Sequence, residues 1–168
     1  VEPLPGVGFG AVLGLTAFST YNWLTQFDDV ESYFIYPIAP PDVFRAKGRG
    51  FLLLGLPVAA LSYLVGVGWA GTTLLDWLAG AVLLAGLQAY FFGLTVYLTG
   101  FDPNEFLFDV VLFAVVAVAV AVALVPVLVI GFVTGTLTLE LAVVVAVAGV
   151  IAGAVGLALF RRAVPRWT

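Results

Sequence analysis

The chain has 168 residues, of which 63% are apolar and only 10% are charged, and its mean hydropathy is +1.19. Soluble domains are about 45–50% apolar and about 25% charged, so the composition excludes an ordinary globular enzyme and a disordered tail. The net charge of −4 provides no basic surface for nucleic acid. The absence of Cys and His excludes disulfides, thiol nucleophiles and the usual zinc sites.

Five stretches are long and apolar enough to cross the hydrocarbon core of a membrane, which takes about 20 residues. They cover about residues 5–24, 51–70, 74–98, 110–133 and 141–160. The first is the weakest, because it contains four glycines. The apolar runs do not alternate with polar residues as the strands of a membrane barrel do. The sequence therefore predicts an all-α, polytopic membrane helix bundle with about five transmembrane helices, in a single domain over residues 1–168.

The placement of charge predicts the orientation of the bundle. All six cations lie in two segments, one between the first two spans and one after the last: Arg45, Lys47 and Arg49, then Arg161, Arg162 and Arg166. With five spans, both segments fall on one side, which the positive-inside rule assigns to the cytoplasm. We therefore expect a multi-pass protein of the cell membrane with residues 25–50, 99–109 and 161–168 in the cytoplasm. The outside N-terminus and the missing initial Met predict that at least one helix precedes this chain.

Residues 25–50 form the only long polar stretch. Three apolar residues recur in it at three- and four-residue steps, with three acids between them: Phe27, Val30 and Phe34, and Asp28, Asp29 and Glu31. This pattern predicts an amphipathic helix along the membrane face. Pro37 ends that helix, and Pro41 begins another with Asp42 near its N-terminus. The segment is either an interfacial anchor or a docking element for a cytoplasmic partner.

The second half of this stretch resembles the permease subunits of ABC-2-type transporters. In that family, a short coupling helix follows the second of six helices, and a motif (Leu/Tyr)-Pro-(Ile/Val)-(Ser/Ala)-x-x-(Asp/Glu)-(Val/Ile)-(Phe/Leu)-x-x-Lys leads into the third. The chain reads Tyr36-Pro37-Ile38-Ala39-Pro40-Pro41-Asp42-Val43-Phe44-Arg45-Ala46-Lys47. Ala39 replaces the common Ser, which removes one helix cap. The resemblance implies that the five spans are helices two to six of the family.

The resemblance also implies a function, a permease that exports an amphipathic or lipid-like substrate by alternating access, as a dimer with itself or a related half. A separate ATP-binding-cassette subunit would hydrolyse ATP, because this chain has no Gly-x-x-x-x-Gly-Lys-(Ser/Thr) loop. The chain itself is expected to be no enzyme and to hold no cofactor or metal. The residues assigned to docking on the ATPase are Asp28, Asp29, Glu31, Phe34, Tyr36, Pro37, Asp42, Arg45 and Lys47.

Several polar residues within the spans have two interpretations. Thr16, Ser19 and Thr20 share one face of the first span, with Asn22 at its edge, and Gln88 lies near the middle of the third. The hydroxyls can bond to their own helix, and Gln88 can bond to a neighbouring one. Alternatively, the five residues line a substrate path, which the resemblance places beside the first span.

Acidic residues at the helix ends are predicted mainly to cap them. Asp102 and Glu105 open the fourth span as N-cap and third residue, and Asp109 one turn later points to water. The first two are otherwise a second ATPase contact or a weak cation site. Asp76 and Glu140 begin the third and fifth spans, where the helix dipole stabilises them; a proton relay is their alternative role.

Glycines and prolines predict how the helices meet. Gly10-x-x-x-Gly14 and Gly149-x-x-x-Gly153 allow close approach, and Pro57 kinks the second span.

Two other functional classes stay open beside the permease. An ion-coupled secondary transporter needs a buried ionisable residue or a broken helix near the midplane. No acid or base lies near the centre of any span, which counts against it. A non-transporting membrane scaffold is the third hypothesis.

Overall fold

The computed structural model describes residues 4–26, 28, 33, 35, 38–101, 109–133 and 135–167. Every regular element within these residues is helical. In chain order, the elements are α1 (Pro5–Gly14), α2 (Thr16–Thr25), α3 (Pro40–Gly50), a π-helical turn (Phe51–Gly55), α4 (Leu56–Ala70), α5 (Leu74–Thr99), α6 (Val110–Val133) and α7 (Leu139–Arg166).

Among the described residues, four helical stretches are long and apolar enough to cross a membrane: Pro40–Ala70, Leu74–Thr99, Val110–Val133 and Leu139–Arg166. The first of them runs through α3, the π-helical turn and α4 without a stop. The chain is therefore an all-helical membrane protein, and four of the five predicted spans correspond to helices of this kind.

The first predicted span is different, because it forms two helices of ten residues each. α1 and α2 meet at Leu15, whose N–H donates to the Val12 carbonyl at 3.2 Å, and the Phe18 N–H donates to the Leu15 carbonyl at 3.1 Å. These bonds join residues three apart, as in a 3₁₀-helix, rather than four apart. The first predicted span is therefore not confirmed as a single continuous helix, since the helix over residues 5–25 tightens and is interrupted at Leu15.

Helix α5 lies at the centre of the bundle and packs most extensively against α7. The two helices run parallel, and glycines meet at seven-residue steps, Gly86 against Gly149 and Gly93 against Gly156. A Cβ on Gly86 or Gly93 would overlap the backbone oxygen of the facing glycine. The two backbones therefore touch directly, which a residue with a side chain would prevent.

Helix α1 also runs parallel to α5 and packs against its N-terminal half. Gly10 lies against the backbone of Gly80, as the predicted small-residue motif requires. Gly149 also contacts α5 closely, but Gly153 meets it only at an ordinary distance, 3.4 Å from a Cβ placed there to Gly86 Cα. The effective spacing on α7 is therefore seven residues rather than the predicted four.

The two cationic segments lie together at one end of the bundle, which we call the basic end. Gly48 of α3 lies against Phe160 of α7. The Arg166 guanidinium lies 4.7 Å from the centre of the Tyr97 ring, near the last turn of α5. Asp76 and Glu140 are in the first turns of α5 and α7, at the opposite end.

Helix α6 is attached mainly to α1, and most of its length faces outward. The Leu4 N–H donates to the Gly131 carbonyl at 2.7 Å and joins the start of α1 to this helix. Val118 and Val122 are among its exposed side chains. In a bilayer such valines contact lipid tails, which are as apolar as the valines themselves.

Gly86→Ala is expected to destabilise the bundle, because the added methyl group overlaps the Gly149 backbone and forces α5 and α7 apart. Overpacking of this kind costs about 1–3 kcal/mol. The matched control is Gly68→Ala in α4, where an added Cβ meets nothing within 4 Å. Thermal unfolding in detergent, followed by tryptophan fluorescence, should show a lower midpoint for Gly86→Ala only. Equal midpoints for the two variants would contradict the direct backbone contact.

Candidate functional site

A groove of about 460 Å³ lies between the α1–α2 pair and the helix formed by the π-helical turn and α4. Four of its lining residues carry hydroxyl groups: Thr16, Ser19, Thr20 and Ser62. The other lining residues are aliphatic, Trp23 and a glycine, and none of the described residues that line it is charged. We call it the hydroxyl groove.

Two irregular turns border the hydroxyl groove. The tightened α1–α2 junction contributes Leu13 and Thr16 from one side, and the π-helical turn contributes Gly55 from the other. A Cβ on Gly55 would lie 2.6 Å from the Thr20 methyl group, so glycine is needed for this approach. Tightened 3₁₀ stretches within helices often mark hinges, and π-helical turns are frequent at functional sites.

Pro57 accounts for the π-helical turn. A proline within a helix has no N–H to donate, and its ring collides with the carbonyl four residues earlier, here that of Leu53. The chain widens at this point, and the Leu56 N–H donates to the Phe51 carbonyl, five residues back. The distortion predicted at Pro57 therefore takes the form of a wide turn just before the proline.

Gln88 holds the α1–α2 junction from behind the groove. Its side chain is fully buried, and Nε2 donates to the Leu13 carbonyl and to Thr16 Oγ1, both at 2.7 Å. Thr16 Oγ1 donates in turn to the Leu13 carbonyl at 2.7 Å. The predicted bond from Gln88 to a neighbouring helix is therefore confirmed. Its buried Oε1 has no hydrogen-bond partner in the part of the chain that the structure describes.

The hydroxyls of the groove differ in their hydrogen bonds. Thr20 Oγ1 donates to the Thr16 carbonyl at 3.0 Å, and Ser62 Oγ donates to the Val58 carbonyl at 2.9 Å. These bonds to the same helix follow the predicted pattern and leave oxygen lone pairs as acceptors. Ser19 is exposed, and its hydroxyl has no partner among the described residues. The groove therefore offers several acceptors and, in Ser19, one hydroxyl donor without a partner among the described residues.

The structure brings together most of the predicted substrate-path residues. Thr16, Ser19 and Thr20 line the hydroxyl groove, and Gln88 contacts it through Thr16. Asn22 is exposed but is not among the residues that line the groove. Ser62 was missed, because two residues that meet from different helices share no sequence periodicity.

Two of the predicted docking residues form a buried ion pair with each other. The Lys47 ammonium contacts the Asp28 carboxylate and donates to the Leu24 carbonyl at 3.1 Å. The Lys47 and Asp28 side chains are only 7% and 13% exposed. Tyr33 also donates its hydroxyl to Asp28, at 2.7 Å. Lys47 therefore connects the end of α2 and residue 28 to α3. Because the two charges neutralise each other within the chain, neither is open to a partner.

Asp42 and Arg45 form a second ion pair, at 2.9 Å, and both side chains are 63% exposed. These two docking residues are therefore open to a partner. The remaining members of that predicted set lie outside the described residues, and so do the predicted capping residues of the fourth span: Asp29, Glu31, Phe34, Tyr36 and Pro37, and Asp102 and Glu105.

At the opposite end, Asp76 caps a neighbouring helix. Its carboxylate accepts the N–H groups of Gly6 and Val7 at 2.8 and 2.9 Å, and also the Thr72 hydroxyl. The first N–H groups of a helix have no partner within it, and the positive end of its dipole favours a carboxylate. Asp76 therefore caps a helix, as predicted, but it caps α1 rather than its own helix. The N-cap of α5 is Thr73.

Glu140 and Asp109 also lie at helix starts. Glu140 is in the first turn of α7, which Thr138 caps. Asp109, predicted to point to water, is exposed and also accepts the N–H groups of Val111 and Leu112, at 2.8 and 3.0 Å. No group of three or more acids that could hold a metal ion occurs in the described ranges.

Comparisons of this chain with protein-family models, with curated proteins and with solved structures find no match. The resemblance of residues 36–47 to ABC-2-type permeases stays a prediction. The functional assignment therefore rests on the residues and contacts of the chain itself.

Gln88→Leu keeps the size of the side chain and removes both hydrogen bonds to the α1–α2 junction. We expect faster amide hydrogen exchange at residues 13–18, by about threefold per bond lost, which corresponds to the ~0.6 kcal/mol typical of bonds between membrane helices. Asn22→Leu is the matched control, since it removes an amide that does not contact the junction. If amide exchange at residues 13–18 were unchanged in Gln88→Leu, the two Gln88 hydrogen bonds would not stabilise the α1–α2 junction.

Lys47→Ala is expected to destabilise the protein more than Lys47→Ala combined with Asp28→Ala, because the single change leaves a buried carboxylate without a partner. Breaking a buried pair costs about 3–5 kcal/mol, whereas exposed pairs contribute about 0.2–1 kcal/mol. The control is the same double-mutant cycle on Asp42 and Arg45, measured by unfolding in detergent. A coupling energy between residues 28 and 47 no larger than in the control would show that the pair is not structural.

Proposed function

We propose that this chain is the membrane-spanning subunit of a transporter and that the hydroxyl groove forms part of its substrate route. The observation that carries the proposal is the pair of irregular turns, one tightened and one widened, that face each other across this groove. Irregular helical backbone is tolerated within a membrane where it lines a cavity or packs against protein. An uncharged groove with a few hydroxyls suits an amphipathic or lipid-like substrate.

We further propose that transport is driven by a separate ATP-binding-cassette subunit, as in ABC-2-type exporters. The similarity of Tyr36–Lys47 to that family supports this, and so does the connection from the polar segment to the groove. Lys47 joins residue 28 to α3, and α3 continues into the π-helical turn that lines the groove. A force on the polar segment would reach the groove along this path. The positive-inside rule would place the basic end in the cytoplasm, where the ATPase binds.

A second half would complete the route. The hydroxyl groove is open along its outer side, where Trp23 and Leu54 are exposed. A second copy of this chain or a related half, packed against that side, would separate the groove from lipid. The bilayer is the other expected partner.

The tightened α1–α2 junction favours a second candidate, an ion-coupled carrier. Such carriers bind their substrates at interrupted helices near the midplane. The described residues that line the groove include no ionisable side chain, so the coupling ion would lack a charged ligand there. The two candidates differ in their source of energy, which a transport assay measures directly.

The docking test is co-expression of this chain with the product of the neighbouring reading frame, which the proposal expects to be the ATP-binding-cassette subunit. We expect the ATPase to co-purify with the wild-type chain and with Glu140→Lys, a charge reversal at the opposite end, but not with Asp29→Lys/Glu31→Lys. Asp28 stays unchanged, because it pairs with Lys47. Association that survives the double reversal would refute the docking assignment.

The same complex, reconstituted with a fluorescent phospholipid, should move that lipid only with ATP. Ser19→Leu should slow the movement without releasing the ATPase, because it replaces the unused donor of the groove by an apolar side chain. Movement driven by a proton gradient without ATP would establish the second candidate.

A further inference from the structure

A second cavity, of about 270 Å³, lies at the basic end between α3, the π-helical turn, α5 and α7. Most of its wall is apolar, with three phenylalanines and two leucines: Phe51, Phe92, Phe160, Leu52 and Leu157. Arg45 and Arg49, one turn apart on α3, also line it, and no acid is among its described lining residues. It shares no residue with the hydroxyl groove.

The cavity is built by elements that the fold holds in place. Gly48 and Gly156 line it without side chains, and Gly156 is pressed against the Ala89 backbone by the contact between α5 and α7. The ring centroids of Phe51 and Phe92 are 4.1 Å apart, and those of Phe92 and Phe160 are 5.5 Å apart. The three rings together form one continuous apolar wall.

The two arginines leave positive charge at this cavity. Arg45 is paired with Asp42 on the exposed side of α3. The Arg49 side chain is exposed and has no ion pair within the described part of the chain. Arginine donates paired N–H groups in a planar arrangement that fits phosphate oxygens.

We propose that this cavity binds one anionic membrane phospholipid, with an acyl chain against the phenylalanines and the phosphate against Arg45 and Arg49. Basic pockets between membrane helices are suited to acidic lipid headgroups. A free phosphate would leave the apolar wall uncovered, and a zwitterionic lipid would supply no net charge to the arginines. The complementarity of both charge and apolar surface therefore selects an anionic lipid. This site is independent of the transport proposed above.

The test places the full chain in nanodiscs with a phospholipid that carries a photoactivatable diazirine on its acyl chain, either phosphatidylglycerol or phosphatidylcholine. We expect crosslinks at Leu157 and Phe160 to favour phosphatidylglycerol by about fivefold, as expected for one net cation near an anionic lipid, because Asp42 offsets the charge of Arg45. Val118 and Val122, on the exposed side of α6, report bulk lipid and should show no such preference. Equal preference at both places would overturn the proposal, and this comparison needs no variant.

Variants separate the cavity from the general attraction of the basic end. Arg45→Gln/Arg49→Gln should abolish the preference, whereas Arg161→Gln/Arg162→Gln, which removes two charges outside the cavity lining, should keep it. Leu157→Trp fills the cavity with the arginines intact and should remove the crosslinks at Phe160. A preference that falls equally in both double variants, or that is lost in excess inorganic phosphate, would overturn the proposal.

Discussion

The direct contact between the backbones of α5 and α7 is the constraint on which the rest of this bundle depends. In a bilayer, apolar helices gain little by burying apolar side chains against each other, since lipid tails are equally apolar. Association then relies on many short dispersion contacts, which require close approach. Three glycines of α5 provide that approach: Gly86 and Gly93 bring α5 close to α7, and Gly80 brings it close to α1. Helices α1 and α7 are thereby placed against α5, and α6 is held in turn mainly by α1.

Helix α5 also supplies the two polar side chains that define the shape of α1. Asp76 binds the first N–H groups of α1, and Gln88 binds the Leu13 carbonyl near its end. Gln88 lies between Gly86 and Gly93, so the glycine contacts also determine where its amide can reach. Gln88 lies near the middle of its span, where water does not compete for its bonds and a polar group left without a partner is unfavourable. The tightened junction is thus held by a helix that is itself firmly placed.

The sequence predicts the parts of this structure that follow from composition and spacing along one helix. Apolar length predicts five spans, of which four are long helices, and the grouping of the cations predicts that the two cationic segments are on the same side of the membrane. The interruption at Leu15 could not be predicted, because it depends on Gln88, which is 72 residues away from Thr16. The ion pair of Asp28 and Lys47 could not be predicted either. In the sequence both residues have the pattern of exposed charges, and they meet only because the fold places α2 beside α3. Contacts within a helix have a period in the sequence, whereas contacts between helices have none.

The π-helical turn is the point at which these separate features act on one another. It lies between α3, which Lys47 anchors to α2, and α4, whose regular α-helix begins at Leu56. Phe51 lines the cavity at the basic end, and Gly55 lines the hydroxyl groove. A π-helical turn holds one residue more than an α-helical turn, so closing it would rotate α3 relative to α4 by the angle of one residue, about 100° at 3.6 residues per turn. Such a rotation would move the buried Lys47 away from Asp28, and the ion pair therefore opposes it. The wide turn, which Pro57 imposes, and the ion pair of Lys47 with Asp28 therefore both hold α3 in its present orientation relative to the hydroxyl groove.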